Sequence, residues 1–328
     1  MDVLADFRAK AKAINGKVVL PEAFDERTLR AAEAILKEEM CGVVLVGVEE
    51  TILSDAGKLG LDLSKAEIIN PEKYDIKEFA EFFYEKRKKK GVTPEQASEI
   101  VKQNLFFGAL LVKYGIVNGM VAGAANTTAD VLKAALQVVG VKPGLKTVSS
   151  SFIMVTPDFL GSDKIFLFAD CAVVPNPDAE QLADIAISTA TTRKSLIGDE
   201  PKVALLSFST KGSAEHELVD KVLQTKKIMD ERKLDFDYDG ELQLDAAIIP
   251  SVGSRKAPGS SVAGQANVLI FPDLQAGNIG YKLVQRFAKA EAIGPVIQGL
   301  AAPVCDLSRG CSWEDIYNTA ALVLLLSR

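Results

Sequence analysis

Histidine is almost missing from this chain. His216 is the only one among 328 residues. A Ser-His-Asp or Cys-His device would have to be built on it. It stands in KGSAEHELVDKVL, which reads as the first turns of a helix with solvated neighbours. Cysteine is scarce as well. Cys41, Cys171, Cys305 and Cys311 include no C-x-x-C pair, and with a single histidine they make no zinc set. No apolar run reaches the roughly 18 residues that a membrane-spanning helix needs. The opening MDVLADFRAKAKAING is charged and amphipathic and has no apolar core of the signal-peptide kind. These features read as a cytoplasmic protein with reduced thiols and no membrane association. Positive charge is not in surplus either. Lys and Arg number 38 against 44 Asp and Glu, a net charge of −6, which argues against a broad nucleic-acid surface and leaves room only for local basic pockets. FSTKGS is not a Walker A motif, and no G-x-G-x-x-G follows the first strand, so P-loop and classical dinucleotide sites lack support.

What is present is apolar material, 48 % of the residues, in a chain long enough for two domains. Short β-rich runs alternate with amphipathic stretches. KVVLPEA reads as a strand and DERTLRAAEAILKEE as a helix with Asp25 as N-cap; CGVVLVG and AEIIN read as further strands. Two or three helices follow between Ile76 and Tyr114, then NGMVAGAANTTADVLKAALQVVG as strand, polar loop and helix. This rhythm predicts an α/β fold with mostly parallel sheets and helices on both faces. It breaks at GVKPGLKTVSS, residues 140–150, where Gly, Pro and Lys mark a crossing between domains. Beyond it SFIMV and KIFLFADCAVV read as neighbouring, antiparallel strands, and KVALLSFST, LDAAII and NVLIFPD as further strands, with a helix over SAEHELVDKVLQTKKIMDERK between the first two. Five polar loops follow apolar strands: GAANTTAD, FSTKGSAE, PSVGSRKAPGSS, PDLQAGNIGYK and DLSRGCSWED. Loops after strand C-termini form the ligand crevice of parallel sheets, and helix N-termini there favour anions. A phosphate-containing ligand is the expectation.

Taken together, PEAFDERTLRAA, TTADVLKAALQ, FADCAVVPNPDAEQLADIAI, LSFSTKGSA, GELQLDAA, ANVLIFPDLQAGNIGYK, GPVIQGL and DLSRGCSWEDIY resemble the phosphate acetyltransferases, in the same order and over nearly the whole chain. The resemblance implies interconversion of acetyl-CoA plus phosphate with CoA plus acetyl phosphate. CoA would be a substrate, with no permanently bound cofactor and no metal. It also implies two three-layer α/β/α domains with a central cleft, in the fold of isocitrate and isopropylmalate dehydrogenases, and a homodimer. The first domain would be discontinuous, residues 1–145 plus 296–328, and the second would span 146–295.

The resemblance makes DLSRGCSWED the catalytic loop. Ser308 and Arg309 are similar to the pair that holds the phosphoryl group and the developing oxyanion, and Asp315 to the base for the CoA thiol. An acyl phosphate is already activated, so the reaction needs a thiolate, an oxyanion stabiliser and a charge partner for the leaving phosphate. Arg309 offers a bidentate fork. A thiol titrates near ~8.5 and an Asp near ~3.9, so the base needs a raised pKa or a thiolate stabilised by cations. By position alone, Ser308 and Arg309 also read as a cap and a surface ion pair, and Asp315 as a first-turn acid that favours the helix dipole. Cys311 as a ping-pong nucleophile lacks a histidine partner.

Arg87, in the basic run YEKRKKKG, matches an Arg that holds CoA at its 3′-phosphate. Where the family carries Arg-Pro after TTAD this chain has Lys133 and Ala134, and Asn126 replaces a His. Lys keeps the charge and loses the fork. Thr127 and Thr128 remain as hydroxyl donors to CoA, and Lys256, Asn278 and Tyr281 sit in the other loops as acetyl-phosphate contacts. Propionyl or butyryl transfer differs only in pocket volume. A metal- and NAD-dependent decarboxylating dehydrogenase of the same fold would need clustered Asp residues and a nicotinamide loop, and neither is found. A non-catalytic binding protein would leave the Ser308, Arg309 and Asp315 set without a purpose.

Overall fold

The structure, a computed structural model, describes residues 2–328. In chain order the elements are α1 (Val3–Lys12), β1 (Lys17–Leu20), α2 (Glu26–Lys37), β2 (Gly42–Val46), α3 (Glu49–Lys58), β3 (Glu67–Ile69), α4 (Lys77–Arg87), α5 (Pro94–Val101), α6 (Asn104–Lys113), β4 (Gly119–Ala122) and α7 (Thr128–Val138). There follow β5 (Ser149–Phe159), β6 (Ser162–Ala169), α8 (Ala179–Leu196), β7 (Lys202–Leu206), α9 (Glu217–Glu231), β8 (Asp237–Leu242), α10 (Leu244–Ile248), α11 (Pro250–Lys256), β9 (Val268–Ile270), α12 (Leu274–Phe287) and β10 (Glu291–Gln298). The last two are β11 (Val304–Asp306) and α13 (Trp313–Leu326). Among the described residues the chain divides into two compact units, one of Asp2–Lys142 with Leu300–Arg328, the other of Pro143–Gly299. No helix among them is long and apolar enough to cross a membrane.

The discontinuous unit is built on a wholly parallel five-stranded sheet, ordered β11-β4-β1-β2-β3. Its inner strands β1, β2 and β4 are apolar runs because both faces are covered. Val18, Leu20, Val43, Leu45 and Val121 point to a core shared with α2 and α13. The alternate residues point the other way. There α6 lies so close that a Cβ on Gly108 would meet the Met120 sulfur at 2.8 Å. Helix α6 has no polar face, and Leu105 through Val112 are all buried, as expected of an apolar helix against a sheet. The result is three layers, α/β/α.

The continuous unit holds a mixed six-stranded sheet, ordered β10-β5-β6-β9-β7-β8. The pairs β10–β5 and β5–β6 are antiparallel, as expected for SFIMV and KIFLFADCAVV, and the other pairs are parallel. Phe152, Met154, Phe166, Leu206, Leu242 and Leu269 form its core with α10 and α12.

Two expectations are corrected in this unit. LDAAII is not a strand: Leu244–Ile248 is the short helix α10, and the strand is the preceding DYDGEL, β8. Two of its four buried positions carry acids, so it shows no apolar alternation. Glu241, 1 % exposed, accepts from Ser209 Oγ at 2.9 Å and Gly212 N at 2.7 Å, and Asp239 pairs with Lys211. PSVGSRK is not a loop but helix α11, with Pro250 in its first turn, where a missing N–H costs nothing.

Candidate active site

Three loops leave the C-terminal edge of the parallel sheet next to one another, after β1, β4 and β11. One short segment, Glu22 to Arg27, running from the β1–α2 loop into the first turn of α2, fastens the other two. Glu22 is 2 % exposed. Its carboxylate accepts from the backbone N–H groups of Ala124 (2.9 Å), Ala125 (3.2 Å) and Asn126 (2.7 Å) and from the Asn126 side-chain amide (2.7 Å). This fixes the β4–α7 loop and gives Asn126 a structural partner. Arg27 forks onto Asp25, with Nε to Oδ1 at 3.0 Å and Nη2 to Oδ2 at 2.7 Å. It then donates to the carbonyls of Ala124 (2.6 Å), Arg309 (2.8 Å) and Cys311 (2.9 Å). Asp25 is also the N-cap of α2, and its hydrogen bond with Arg27 holds its carboxyl below the usual range despite burial.

Arg27 therefore sets the backbone of the β11–α13 loop from beneath, and Ser308 and Arg309 stand exposed at its tip. Ser308 Oγ accepts from Gly310 N at 3.2 Å, which tightens the turn and leaves the hydroxyl proton for a ligand. Asp315 is exposed at the third position of α13. Its Oδ2 accepts from Ser312 N (2.8 Å) and Ser312 Oγ (3.0 Å), and Ser312 caps Asp315 N in return. This is a reciprocal capping box, and it leaves Oδ1 outside the cap. Cys311 is buried, and burial pushes its thiol up despite the nearby Arg27 charge, which makes it a poor nucleophile.

The two threonines differ from expectation. Thr127 donates its proton to Asp130 Oδ2 at 2.6 Å while capping α7, and Thr128 donates its proton to Asp306 Oδ2 at 2.6 Å. Each hydroxyl has one proton, and each gives it to a carboxylate of the same unit. Lys133 lies exposed further along α7. Arg87 is half-buried at the C-terminal end of α4, with its Nε buried and unpaired. The neighbouring Lys86 ammonium donates to Val138 O at the C-terminal end of α7.

In the continuous unit the three remaining candidates sit on helices, not loops. Asp273 caps α12 by accepting from Ala276 N at 2.9 Å, so the helix begins before Asn278 and Tyr281. Asn278 donates to Cys171 O at 3.0 Å, and Tyr281 stacks on Phe152 with centroids 4.2 Å apart. Lys256, at the end of α11, is held by Gln243 (2.8 Å) and Asp245 (2.9 Å). His216 is an exposed N-cap whose Nδ1 accepts from Leu218 N. No group of three or more His, Cys, Asp or Glu side chains among the described residues is arranged to hold a metal.

Glu22, Arg27 and Asp306 are the charged residues around these loops that sequence reasoning missed. Their only signal is position: Glu22 stands two residues beyond β1, Arg27 in the first turn of α2, and Asp306 at the end of β11.

The comparisons place the chain. A family profile described as phosphate acetyl/butaryl transferase matches residues 3–324. The chain belongs to that family. It is 55 % identical over 325 residues to a phosphate acetyltransferase of Thermoanaerobacterium thermosaccharolyticum, covering 98 % of each chain. The crystal structure of a phosphotransacetylase from Streptococcus pyogenes superposes with a TM-score of 0.93 at 43 % identity, over 99 % of this chain and 98 % of that one. A 4-hydroxythreonine-4-phosphate dehydrogenase from Klebsiella pneumoniae shares the fold alone, with a TM-score of 0.55 at 11 % identity over 96 % of this chain and 100 % of that one.

Proposed function

We propose that the protein is a phosphate acetyltransferase that interconverts acetyl-CoA plus phosphate with CoA plus acetyl phosphate by direct thiolate attack in a ternary complex. The observation that carries this is the Ser308–Arg309 tip, exposed, with its backbone set by Arg27, in a chain of this family. Ser308 keeps a donor proton and Arg309 a planar fork, together suited to a phosphoryl group and to an oxyanion that develops on the acyl carbonyl. Asp315, with Oδ1 outside its cap, is the thiol's proton acceptor by resemblance. No side chain at the tip is an activated nucleophile, since Cys311 is buried with a raised pKa and His216 caps a helix of the other unit. Displacement is therefore direct, without an acetyl-enzyme.

Arg87 and Lys133 meet CoA phosphates as charges, and Thr127 and Thr128 meet CoA as acceptors. Lys256, Asn278 and Tyr281 contact acetyl phosphate. The protein works in the cytoplasm as a homodimer. Ile279, Leu283 and Phe287 recur every fourth residue on α12 and stand exposed, Phe287 at 84 %, a stripe suited to a second copy.

The test is thioester absorbance with CoA and acetyl phosphate, without added metal or nicotinamide. Initial-rate plots at several fixed CoA concentrations should intersect. Parallel lines with a trapped acetyl group on Cys311 or Ser308 overturn direct displacement, and no thioester from acetyl, propionyl or butyryl phosphate overturns the acyl-transfer reading.

A further inference from the structure

Helix α2 packs Leu29, Ala32 and Ile35 into the core of the discontinuous unit. Arg30, Glu33, Ala34 and Lys37 lie on another face of it, at helical spacings of three and four. This face lines an open cavity of about 540 Å³, within the ~300–1,000 Å³ of small-molecule sites. Glu38, Leu61 and Trp313, the first residue of α13, complete the lining. All of these residues belong to the discontinuous unit, and none has a part in the site described above.

The lining has an apolar and a charged part. Ala34, Leu61 and Trp313 are half-buried and pack against the core, so the base of the cavity is apolar and partly aromatic. The small side chain of Ala34 leaves that base open between Arg30 and Lys37. The charged part is balanced, with the cations Arg30 and Lys37 against the acids Glu33 and Glu38. Arg30 is engaged by Glu26 on its own helix, and Glu38 accepts from the Tyr317 hydroxyl. Glu33 and Lys37 are different. They stand one turn apart in the order that favours a helical ion pair, yet among the described residues no ion pair joins them. Glu33 Oε1 instead accepts from Asp62 N at 2.8 Å, which leaves Oε2 open, and the Lys37 ammonium has no partner among the described residues. A ligand with only negative charge would meet the two carboxylates, and one with only positive charge the two cations, and like charges repel. A small molecule that carries one charge of each sign beside an apolar body meets neither penalty.

We propose that this cavity binds a free α-amino acid with an aromatic side chain. Its carboxylate meets Lys37, its ammonium meets Glu33 Oε2, and its ring lies on Ala34, Leu61 and Trp313. Adjacent carboxylate and ammonium groups suit side chains whose Cβ atoms are about 5–6 Å apart along a helix. The site does not depend on the acyl-transfer reading.

Trp313 is the only tryptophan of the chain, so its emission reports on the cavity. The probe is L-phenylalanine, which does not absorb at the red edge where tryptophan is excited. Two related probes each lack one charge: 3-phenylpropionate has no ammonium, and phenethylamine no carboxylate. L-Phenylalanine should change Trp313 emission saturably, and calorimetry on the full-length protein should give the same Kd. Each single-charge probe should bind at least about tenfold more weakly, as expected when a charged hydrogen bond is lost. K37A should weaken L-phenylalanine about tenfold and leave phenethylamine unchanged. E33Q, whose amide oxygen still accepts from Asp62 N, should weaken L-phenylalanine and leave 3-phenylpropionate unchanged. A34F fills the base and should abolish binding of all three. R309A should bind L-phenylalanine as the parent does, which separates this cavity from the catalytic loop, and K37A and E33Q should keep the parent rate of thioester formation.

No saturable binding of L-phenylalanine by calorimetry overturns the proposal. So does a single-charge probe that binds as tightly, or parent-like affinity in both K37A and E33Q. Loss of binding in R309A moves the amino acid to the catalytic loop and overturns it as well. If A34F fails to fold, K37A, at an exposed position, decides. Absence of thioester formation by the parent bears on the acyl-transfer reading alone.

Discussion

The loop after β11 has two sides, and they are made differently. On its outer side Ser308, Arg309 and Asp315 stand in solvent, and the Arg309 guanidinium is free for a ligand. On its inner side Glu22, Arg27 and Asp306 are buried or half-buried and joined to backbone or to each other's loops at 2.6–3.2 Å. The outer side carries charge to be used; the inner side fixes where that charge stands. Geometry of this quality matters because a misplacement of about 1 Å costs on the order of 10²-fold in rate. The comparison teaches that activity and stability should separate: substitution of Arg309 changes rate alone, while inner substitutions, and those at Asp315 with its capping box, change both.

The largest effect expected on the outer side is R309A. Loss of one transition-state donor costs on the order of 10²–10³ in kcat, and since Arg309 supports no other side chain, Tm should hardly move. A variant with more than half the parent kcat would remove Arg309 from the site, and a Tm drop would blur the two sides.

R27A tests the inner side. It strands the carbonyls of Ala124, Arg309 and Cys311 and leaves Asp25 without its cation. Unpaired groups of this kind cost about 1–3 kcal/mol each where they are shielded from water. A fall in Tm of several degrees together with a ~10–100-fold loss of kcat is expected. R27K should rescue little, because an ammonium does not span three carbonyls and a carboxylate with a planar fork's geometry. Parent-like Tm and kcat in R27A would dissolve the distinction.

Arg87 gives a smaller effect. R87A should weaken CoA about tenfold and leave dephospho-CoA, which lacks the 3′-phosphate, unchanged, the loss corresponding to ~1.4 kcal/mol. Equal weakening of both ligands would place Arg87 on another part of CoA or in packing alone.

This difference also explains what the sequence makes legible. Strands β1, β2 and β4 are apolar runs bounded by turn residues, and Asp25 before a periodic stretch reads directly as a cap. Exposed reactive residues are visible because they stand together in one loop. The inner layer is not visible, because its partners are backbone groups far along the chain, as when Glu22 meets the N–H of Ala124 and Arg27 the carbonyl of Arg309. A carboxylate at a strand end looks the same in sequence whether it is solvated or holds three amides. Strand β8 hides for a related reason, since two of its four buried positions are the acids Asp239 and Glu241, paired with Lys211 and Ser209. The proton balance of Thr127 and Thr128 depends on which carboxylate each hydroxyl reaches, and only the three-dimensional pairing with Asp130 and Asp306 decides it.

The smallest expected effect concerns Lys133, and it separates a contact from mere exposure. Lys133 lies on α7 five residues beyond Thr128, about 7–8 Å along the helix axis at 1.5 Å per residue. If its ammonium faces a CoA phosphate, it does so as a point charge. K133R restores a planar fork and a second hydrogen bond. A charged hydrogen bond contributes ~1.5–3 kcal/mol at best and less where solvent competes. A several-fold lower KM for CoA is therefore expected, with kcat unchanged because the contact lies away from the reacting carbonyl. K133A should raise KM for CoA, and the penalty should shrink as salt screens an exposed charge over a Debye length of about 10 Å at 0.1 M. KM for acetyl phosphate should stay at the parent value in both variants. Kinetic constants of K133A equal to the parent's at low ionic strength would make Lys133 a solvated helix residue and leave Arg87 as the charge that meets CoA.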